Sequence, residues 1–251
     1  MSIITLLTDF GTRDSYVAEI RGTLLTLAPA AVLVDISHDV EPGNVRTGAY
    51  IFGRSWRTFP SETIHLAVVD PGVGSARRAL ALRALGHFFV GPDNGLFTPV
   101  LDYLGAVVEL PVPSTAAATF HGRDVFAPAA ASLARGVSLA SLGSASSSAP
   151  IRLPRAAPRT NDAGIAGEVI HVDRFGTLVT NLGADATDPI EVAGARVPLR
   201  RTFSDVASGD LVALRGSGGT IEIAVRDGSA AERLAAGIGS RVSAGYGAAG
   251  V

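Results

Sequence analysis

Three aspartates follow apolar, strand-like runs in the first third of the chain: Asp9 in TDFG, Asp35 in VDIS and Asp70 in VVDPGVGS. Ligands of open α/β sheets bind at the carboxyl ends of strands, so these aspartates are candidate ligand-binding residues. Each alone would also fit a helix cap or a turn. Glycines close behind Asp9 and Asp70 let the backbone approach a ligand, and a carboxylate there suits a pair of ribose hydroxyls.

A polar cluster surrounds His121 in TFHGRDVFAPAA, within an Ala-rich region. Histidine is suited to proton transfer near neutral pH, although a buried structural histidine is the alternative. Residues 70–78 carry two glycines and two arginines, but they match neither a Walker loop nor GxGxxG. The segment therefore gives no strong indication of a phosphate site.

Composition excludes several kinds of chemistry. All 21 basic residues are arginines and there is no cysteine, which excludes a Schiff-base lysine, a Walker lysine, a thiolate nucleophile and disulfides. The five histidines lack HxH or HExxH spacing, so we expect no metal site. The formal net charge of −2 predicts no nucleic-acid partner, and the absence of a GxSxG elbow disfavours a serine hydrolase.

The first part of the chain alternates strand-like and helix-like patterns, which favours an α/β domain with a parallel sheet and helices on both faces. Strands are predicted at residues 3–7, 31–36, 64–69 and 87–90. Helices are predicted at residues 15–28, 44–57 and 94–104, and from a cap at Asp124 to about residue 135.

A Ser-, Ala- and Pro-rich stretch then precedes short β-like runs. We predict an N-terminal α/β domain over residues 1–150, a linker over 151–164 and a smaller β domain over 165–251. Its predicted strands are 167–172, 177–182, 190–192, 211–214 and 220–225, with one helix near 230–235. No signal peptide or membrane span is evident, so a cytoplasmic protein without a membrane partner is expected.

The β region carries residues suited to a flat heterocycle. Phe175 and Asn181 occur in FGTLVTN, and Ser217 begins SGGTIEIAV. Adenine could stack on an aromatic ring and hydrogen-bond to an amide. The alternative is that Phe175 and Phe203 are ordinary core residues.

Seven segments in order resemble one family: TDFGTRDSYVAEIRG, VDISHDVEPGNVRTGAY, VVDPGVGSARR, GPDNGLFTPVL, TFHGRDVFAPAAA, VDRFGTLVTNL and SGGTIEIAVRDGSAA. They are similar to the S-adenosyl-L-methionine (SAM) hydroxide adenosyltransferases, also called SAM hydrolases, which are relatives of fluorinase and chlorinase. The resemblance extends from about residue 3 to residue 245.

The resemblance implies an N-terminal α/β domain and a C-terminal β-barrel, assembled as a homotrimer with the active site between subunits. It implies attack of water or hydroxide on ribose C5′, giving adenosine and L-methionine without a cofactor. The family's catalytic triad falls on Asp70, Arg77 and His121, and its ribose-binding aspartate on Asp9. Positions around the adenine and methionine fall on Asp173, Phe175, Asn181, Phe203, Ser217, Glu222 and the backbone of Val225; Asp70 also belongs to the substrate-binding set.

Two other functions are alternatives to hydrolysis: a 5′-halogenase and a non-catalytic adenosine or SAM binder. Fluorinase has Tyr at the position of Asp70, Tyr-Ser at His121-Gly122 and a Trp over the halide at Gly43. A carboxylate at residue 70 would repel a halide anion, so the sequence favours water. The resemblance also suggests a preference for the (R)-sulfonium epimer of SAM. The pair Arg226-Asp227 departs from the hydrolase pattern, in which Asn is common.

Overall fold

The computed structural model describes residues 2–146, 148–155, 157–161, 164–183 and 185–246. Its fold is mixed α/β with two sheets, and the chain divides into two compact units, Met1–Leu153 and Pro154–Val251. No helix in these described ranges is long and apolar enough to cross a membrane.

The first unit contains a seven-stranded sheet in its described residues, with strand order β2-β1-β3-β5-β4-β6-β7. In chain order the elements are β1 (Ile3–Thr8), α1 (Tyr16–Leu27), β2 (Val32–Ser37), α2 (Val45–Ser55), β3 (Ile64–Val68), β4 (Ala79–Ala84), β5 (His87–Pro92), β6 (Leu104–Glu109), α3 (Ala127–Ala134) and β7 (Ser144–Ala145).

The predicted parallel sheet is correct for four of the seven strands and wrong for the other three, which form only antiparallel pairs. β2, β1, β3 and β5 are parallel neighbours, whereas β4 runs antiparallel to β5 and β6. The reason is a two-residue turn, Leu85-Gly86, in which both residues have positive φ (46° and 79°). Such a turn matches the twist of an antiparallel hairpin and leaves no room for a parallel crossover.

Helices cover both faces of the sheet, as predicted. Ile4 and Leu6 of β1 belong to a buried cluster with residues of α1 and α3, while Leu7 belongs to a cluster with Phe52 of α2. Successive strand residues point to opposite faces, so one short strand contributes to both cores.

Two predicted helices differ from the structure. Residues 94–104 contain only a 3₁₀ helix, Thr98–Tyr103. Asp124 does not cap a helix but lies inside a π-helical turn, Gly122–Phe126, that leads into α3. Its carboxylate instead accepts a hydrogen bond of 2.8 Å from the Ala117 amide, a contact that local sequence does not encode.

The second unit contains a nine-stranded, nearly barrel-shaped sheet in its described residues, ordered β12-β11-β16-β9-β10-β15-β14-β13, with β8 beside β9. Its elements are β8 (Arg159–Asn161), β9 (Gly164–Val172), β10 (Leu178–Gly183), β11 (Ala186–Val192), β12 (Ala195–Val197), β13 (Leu199–Arg200), β14 (Leu211–Arg215), β15 (Thr220–Val225), α4 (Ala230–Leu234) and β16 (Arg241–Tyr246). The predicted short helix is confirmed as α4, where the Ser229 side chain accepts from the Glu232 amide at 3.2 Å.

Candidate active site

The carboxyl ends of β1 and β3 bring two carboxylates to one edge of the first sheet. Asp9 directly follows β1, and Asp70 follows β3, its parallel neighbour. Asp9 Oδ2 accepts a hydrogen bond of 2.7 Å from the Gly43 amide. Burial raises the pKa of Asp9, and the negative charge of Asp70 raises it further. The hydrogen bond from the Gly43 amide lowers this pKa but does not cancel the increase.

A tight loop returns Arg77 to Asp70. Ser75 Oγ donates to the Gly72 carbonyl at 2.7 Å and accepts from the Arg77 amide at 3.2 Å. At Gly74 the backbone has φ +75°, and a Cβ there would lie 2.5 Å from the Ala118 carbonyl oxygen. Only glycine fits this approach without a shift of the loop.

Arg77 and Asp70 form a buried, two-pronged ion pair. Arg77 Nε lies 3.0 Å from both Asp70 oxygens, and Nη2 donates to Oδ2 at 2.5 Å. The side chains are only 9% and 4% exposed. Charge-assisted, bidentate pairs of this kind fix orientation as well as charge.

His121 is the third member of the cluster. Its Nδ1 lies 3.0 Å from Arg77 Nη2. Because a guanidinium can only donate, Nδ1 must accept, and the imidazole proton is therefore on Nε2. Burial lowers the pKa of His121, and the adjacent Arg77 charge lowers it further, so the ring is neutral at pH 7.

Of the three residues predicted to be catalytic, Arg77 contacts both of the others, Asp70 and His121, and donates to each. Asp9 is near enough to Asp70 for the two charges to interact. With Asp9 ionised, two carboxylates and one guanidinium give the site a net charge of −1, which favours a cationic ligand. No group of three or more potential metal ligands occurs among the described residues.

A cavity of about 710 Å³ lies in the second unit. Its lining residues are Asp173, Phe175, Thr177, Phe203, Ser204, Glu222, Ala224, Val225, Arg226, Asp227 and Gly228. Asp173 Oδ1 accepts from the amides of Phe175 (2.9 Å) and Thr177 (2.8 Å). This turn presents Phe175 to solvent with 73% of its surface exposed, and Phe203 is 50% exposed, so the core alternative for both rings is wrong.

Two predicted binding residues lie elsewhere. Asn181 lines a different cavity of the second unit and accepts from the Glu168 amide at 2.8 Å. Ser217 lies between β14 and β15 and is not in the lining of the Phe175 cavity. Sequence reasoning missed Thr177, whose position two residues after Phe175 in FGT was the available signal. Arg226, noted as a departure, lines the cavity and donates to the Val206 carbonyl at 2.7 Å.

Comparisons with known proteins agree with the segments named above. The SAM hydroxide adenosyltransferase N-terminal domain model matches residues 4–143, and the C-terminal domain model matches residues 167–243. An (R)-S-adenosyl-L-methionine hydrolase from Thermus thermophilus is 43% identical over 93% of this chain and 96% of its own. A fluorinase from an Actinoplanes species is more distant, at 30% identity over 83% of this chain and 80% of its own.

Solved structures show the same likeness. An uncharacterized conserved protein from Thermotoga maritima superposes with a TM-score of 0.88 at 33% identity, covering 96% of this chain and 99% of that one. A conserved hypothetical protein from Thermus thermophilus gives 0.83 at 40% identity, covering 97% and 100%. The chain therefore belongs to the SAM hydroxide adenosyltransferase family.

Proposed function

We propose that this protein hydrolyses S-adenosyl-L-methionine, with preference for the (R)-sulfonium epimer, to adenosine and L-methionine. The observation that carries the proposal is the contact of Asp70, Arg77 and His121 beside a second carboxylate, Asp9. The (R)-S-adenosyl-L-methionine hydrolase from Thermus thermophilus, 43% identical over nearly the whole chain, supports the same substrate and epimer.

The reaction is a displacement at ribose C5′. A water oxygen forms the C5′–O bond while the C5′–S bond breaks, and its electron pair stays on sulfur as a neutral thioether. Because the sulfonium is already a good leaving group, no general acid is needed. The site must hold the water in line with the breaking bond and accept one proton.

We assign the proton to the Asp70 carboxylate. His121 Nδ1 is engaged by Arg77, and its Nε2 carries the imidazole proton, so neutral His121 acts as a donor to the water. The attacking oxygen becomes strongly acidic as the C–O bond forms, so a weak base suffices. Arg77 holds Asp70 and His121 in fixed orientations for this proton transfer.

Two groups of residues are proposed to bind the substrate. Asp9 would accept hydrogen bonds from the ribose hydroxyls. The adenine and methionine groups are assigned to the cavity lined by Asp173, Phe175, Phe203, Glu222 and the backbone of Val225, because these predicted residues share one lining. Asn181 and Ser217 lie outside this lining and are not assigned to it.

A closed β-barrel in the second unit and a homotrimer with the active site between subunits are part of the same proposal. A trimer would have three times the 25.6 kDa chain mass by light scattering. A cytoplasmic location and a reaction without cofactor or metal remain predictions.

The halogenase alternative is disfavoured by charge. The buried Asp70 and nearby Asp9 would repel a halide, whereas they attract the sulfonium cation. A non-catalytic binder would not require the paired Asp70, Arg77 and His121, although it could use the same Phe175 cavity.

The test uses separated sulfonium epimers, with and without chloride or fluoride, and follows nucleosides by chromatography. We expect adenosine and methionine, faster from the (R)-epimer, at a rate that halide does not alter. A 5′-halogenated nucleoside would establish the halogenase instead. Tight binding without turnover would establish the binder, and equal rates for the epimers would remove the (R)-preference.

A further inference from the structure

A buried histidine, His38, contacts the chain just before Asp9, at Thr8, and just after it, at Gly11. Its Nδ1 lies 2.8 Å from the Thr8 hydroxyl, and its backbone carbonyl accepts from the Gly11 amide at 2.8 Å. The Thr8 hydroxyl also accepts from the Phe10 amide at 3.3 Å. The residues immediately before and after Asp9 are thus tied to one another and to His38.

His38 is itself anchored to β2 and α1. Its Nε2 lies 3.2 Å from Asp35 Oδ1, an approach within ion-pair distance that lacks hydrogen-bond geometry. Asp35 Oδ2 lies 3.3 Å from Arg21 Nη2. The arrangement therefore connects two elements of the first unit to the loop that carries Asp9.

The set Thr8, His38 and Asp35 has the residue types of a hydrolase triad, but burial excludes that use. Thr8 has no exposed surface and His38 is only 5% exposed, so the hydroxyl cannot reach a substrate. A network that is buried and leads directly to a ligand-binding loop acts on that loop.

We propose that His38 is a positioning residue for substrate binding, which acts through Thr8 to hold the Asp9 carboxylate toward the nucleoside. This inference rests on the proposed function, since it takes Asp9 as the ribose-binding group. Gly43 holds Asp9 Oδ2 from one side, and the Thr8–His38 contact fixes the backbone from which the side chain extends.

The chain offers a matched control on the same strand. Thr5 Oγ1 lies 2.8 Å from Nδ1 of His65, which is fully buried. The two Thr–His contacts have the same atoms and distance, but Thr5 lies inside β1 and Thr8 at its carboxyl end. Loss of either contact should lower the melting temperature, and only the loss at Thr8 should affect ligand binding.

The experiment compares His38→Leu, His38→Asn and His65→Leu in the full chain, with adenosine affinity by calorimetry, KM and kcat for SAM, and melting temperature. His38→Leu should raise the adenosine Kd and KM about tenfold, with kcat changed less than about threefold. His38→Asn places an amide where Nδ1 was and should restore most of the affinity. His65→Leu should leave Kd and KM within about twofold.

A double-mutant cycle identifies the residue through which His38 acts. In an Asp9→Asn background, His38→Leu should weaken adenosine binding little further, because the group that it positions has already lost its charge. Additive losses, or equal effects of His38→Leu and His65→Leu on Kd, would overturn the proposal. Failure of the wild-type protein to release adenosine from SAM would instead overturn the proposed function.

Discussion

Arg77 is the residue on which the site depends, because it donates to both of its neighbours and cannot accept. It pairs with Asp70 through Nε and Nη2 and reaches His121 Nδ1 through Nη2. A lysine has one nitrogen and cannot reproduce this planar fork. The position therefore requires the shape of the guanidinium as well as its charge.

Replacement of Arg77 should reduce turnover far more than nucleoside binding. We expect Arg77→Lys to lower kcat about 100-fold or more, since the water loses its oriented contacts, with adenosine Kd changed only a few-fold. Steady-state kinetics and calorimetry measure the two effects. Arg83→Gln, which removes an exposed pair with Glu62, is the control and should leave both unchanged. A lysine variant with wild-type kcat would remove Arg77 from the mechanism.

The pH profile tests the protonation state of His121. Its pKa is lowered, so the neutral form that accepts from Arg77 persists below pH 6.5. We expect kcat to stay flat from pH 8 to pH 6.5 and to fall only at lower pH. Protonation of His121 would put an N–H donor on Nδ1, where it would face the N–H donor of Arg77 Nη2. Rate measurements on wild type and His121→Asn would check this. An inflection above pH 6.5 that the variant abolishes would contradict it.

At the scale of elements, strong apolar runs predicted the buried strands well. The failures occur where distant contacts decide the outcome. β4 is not predicted from the sequence, because Ala, Leu and Arg in ALALRA are residues that favour helices. The segment becomes a strand because it pairs on both sides, with β5 and β6. Asp124 has the residue type of a helix cap, but its carboxylate is bound by the Ala117 amide.

The loop between Asp70 and Arg77 depends on a glycine. At Gly74, alanine would combine a positive φ with a contact of 2.5 Å to the Ala118 carbonyl. Gly74→Ala should cost about 1–3 kcal/mol of stability and also lower kcat, because the loop that returns Arg77 must shift.

Gly136→Ala is the matched control for the Gly74 variant. Gly136 has φ +87°, and nothing lies within 4 Å of its would-be Cβ. The Gly136→Ala variant should lose about 1 kcal/mol of folding stability through backbone strain, and its kcat should stay at the wild-type value. Unfolding curves and turnover of the two variants separate strain from site geometry, and an unchanged kcat in Gly74→Ala would contradict the role of the loop.

A chain of buried side chains across β1, β3 and β5 predicts a pH-dependent stability. His65 lies between the Thr5 hydroxyl and His87, at 2.8 and 3.1 Å, and burial with the nearby His87 lowers its pKa to about 3. The unfolded chain binds this proton near pH 6.5 and the folded chain does not, so stability is lost as pH falls below 6.5. The loss from His65 alone is about 2 kcal/mol at pH 5.

His65→Phe should remove that contribution. The difference in unfolding free energy between pH 7.5 and pH 5 should be smaller than in wild type by about 2 kcal/mol, measured by denaturant unfolding. An identical pH dependence in both proteins would show that His65 is protonated in the folded state.

For the whole molecule, the family and the general α/β-then-β order could be predicted because seven motifs occur in sequence order. The contacts between the residues of the candidate active site could not be predicted from the sequence. Arg77 and His121 are 44 positions apart, and their contact depends on the Gly74 loop and the π-helical turn after His121. Likewise, nothing local in VDISHDV indicates that His38 holds the loop around Asp9.

The most direct test of the central claim, that water attacks ribose C5′, is turnover of SAM in ¹⁸O-labelled water with mass spectrometry of both products. We expect one ¹⁸O atom in the 5′-hydroxyl of adenosine and none in methionine. Label in methionine, unlabelled adenosine, or no adenosine at all would contradict it.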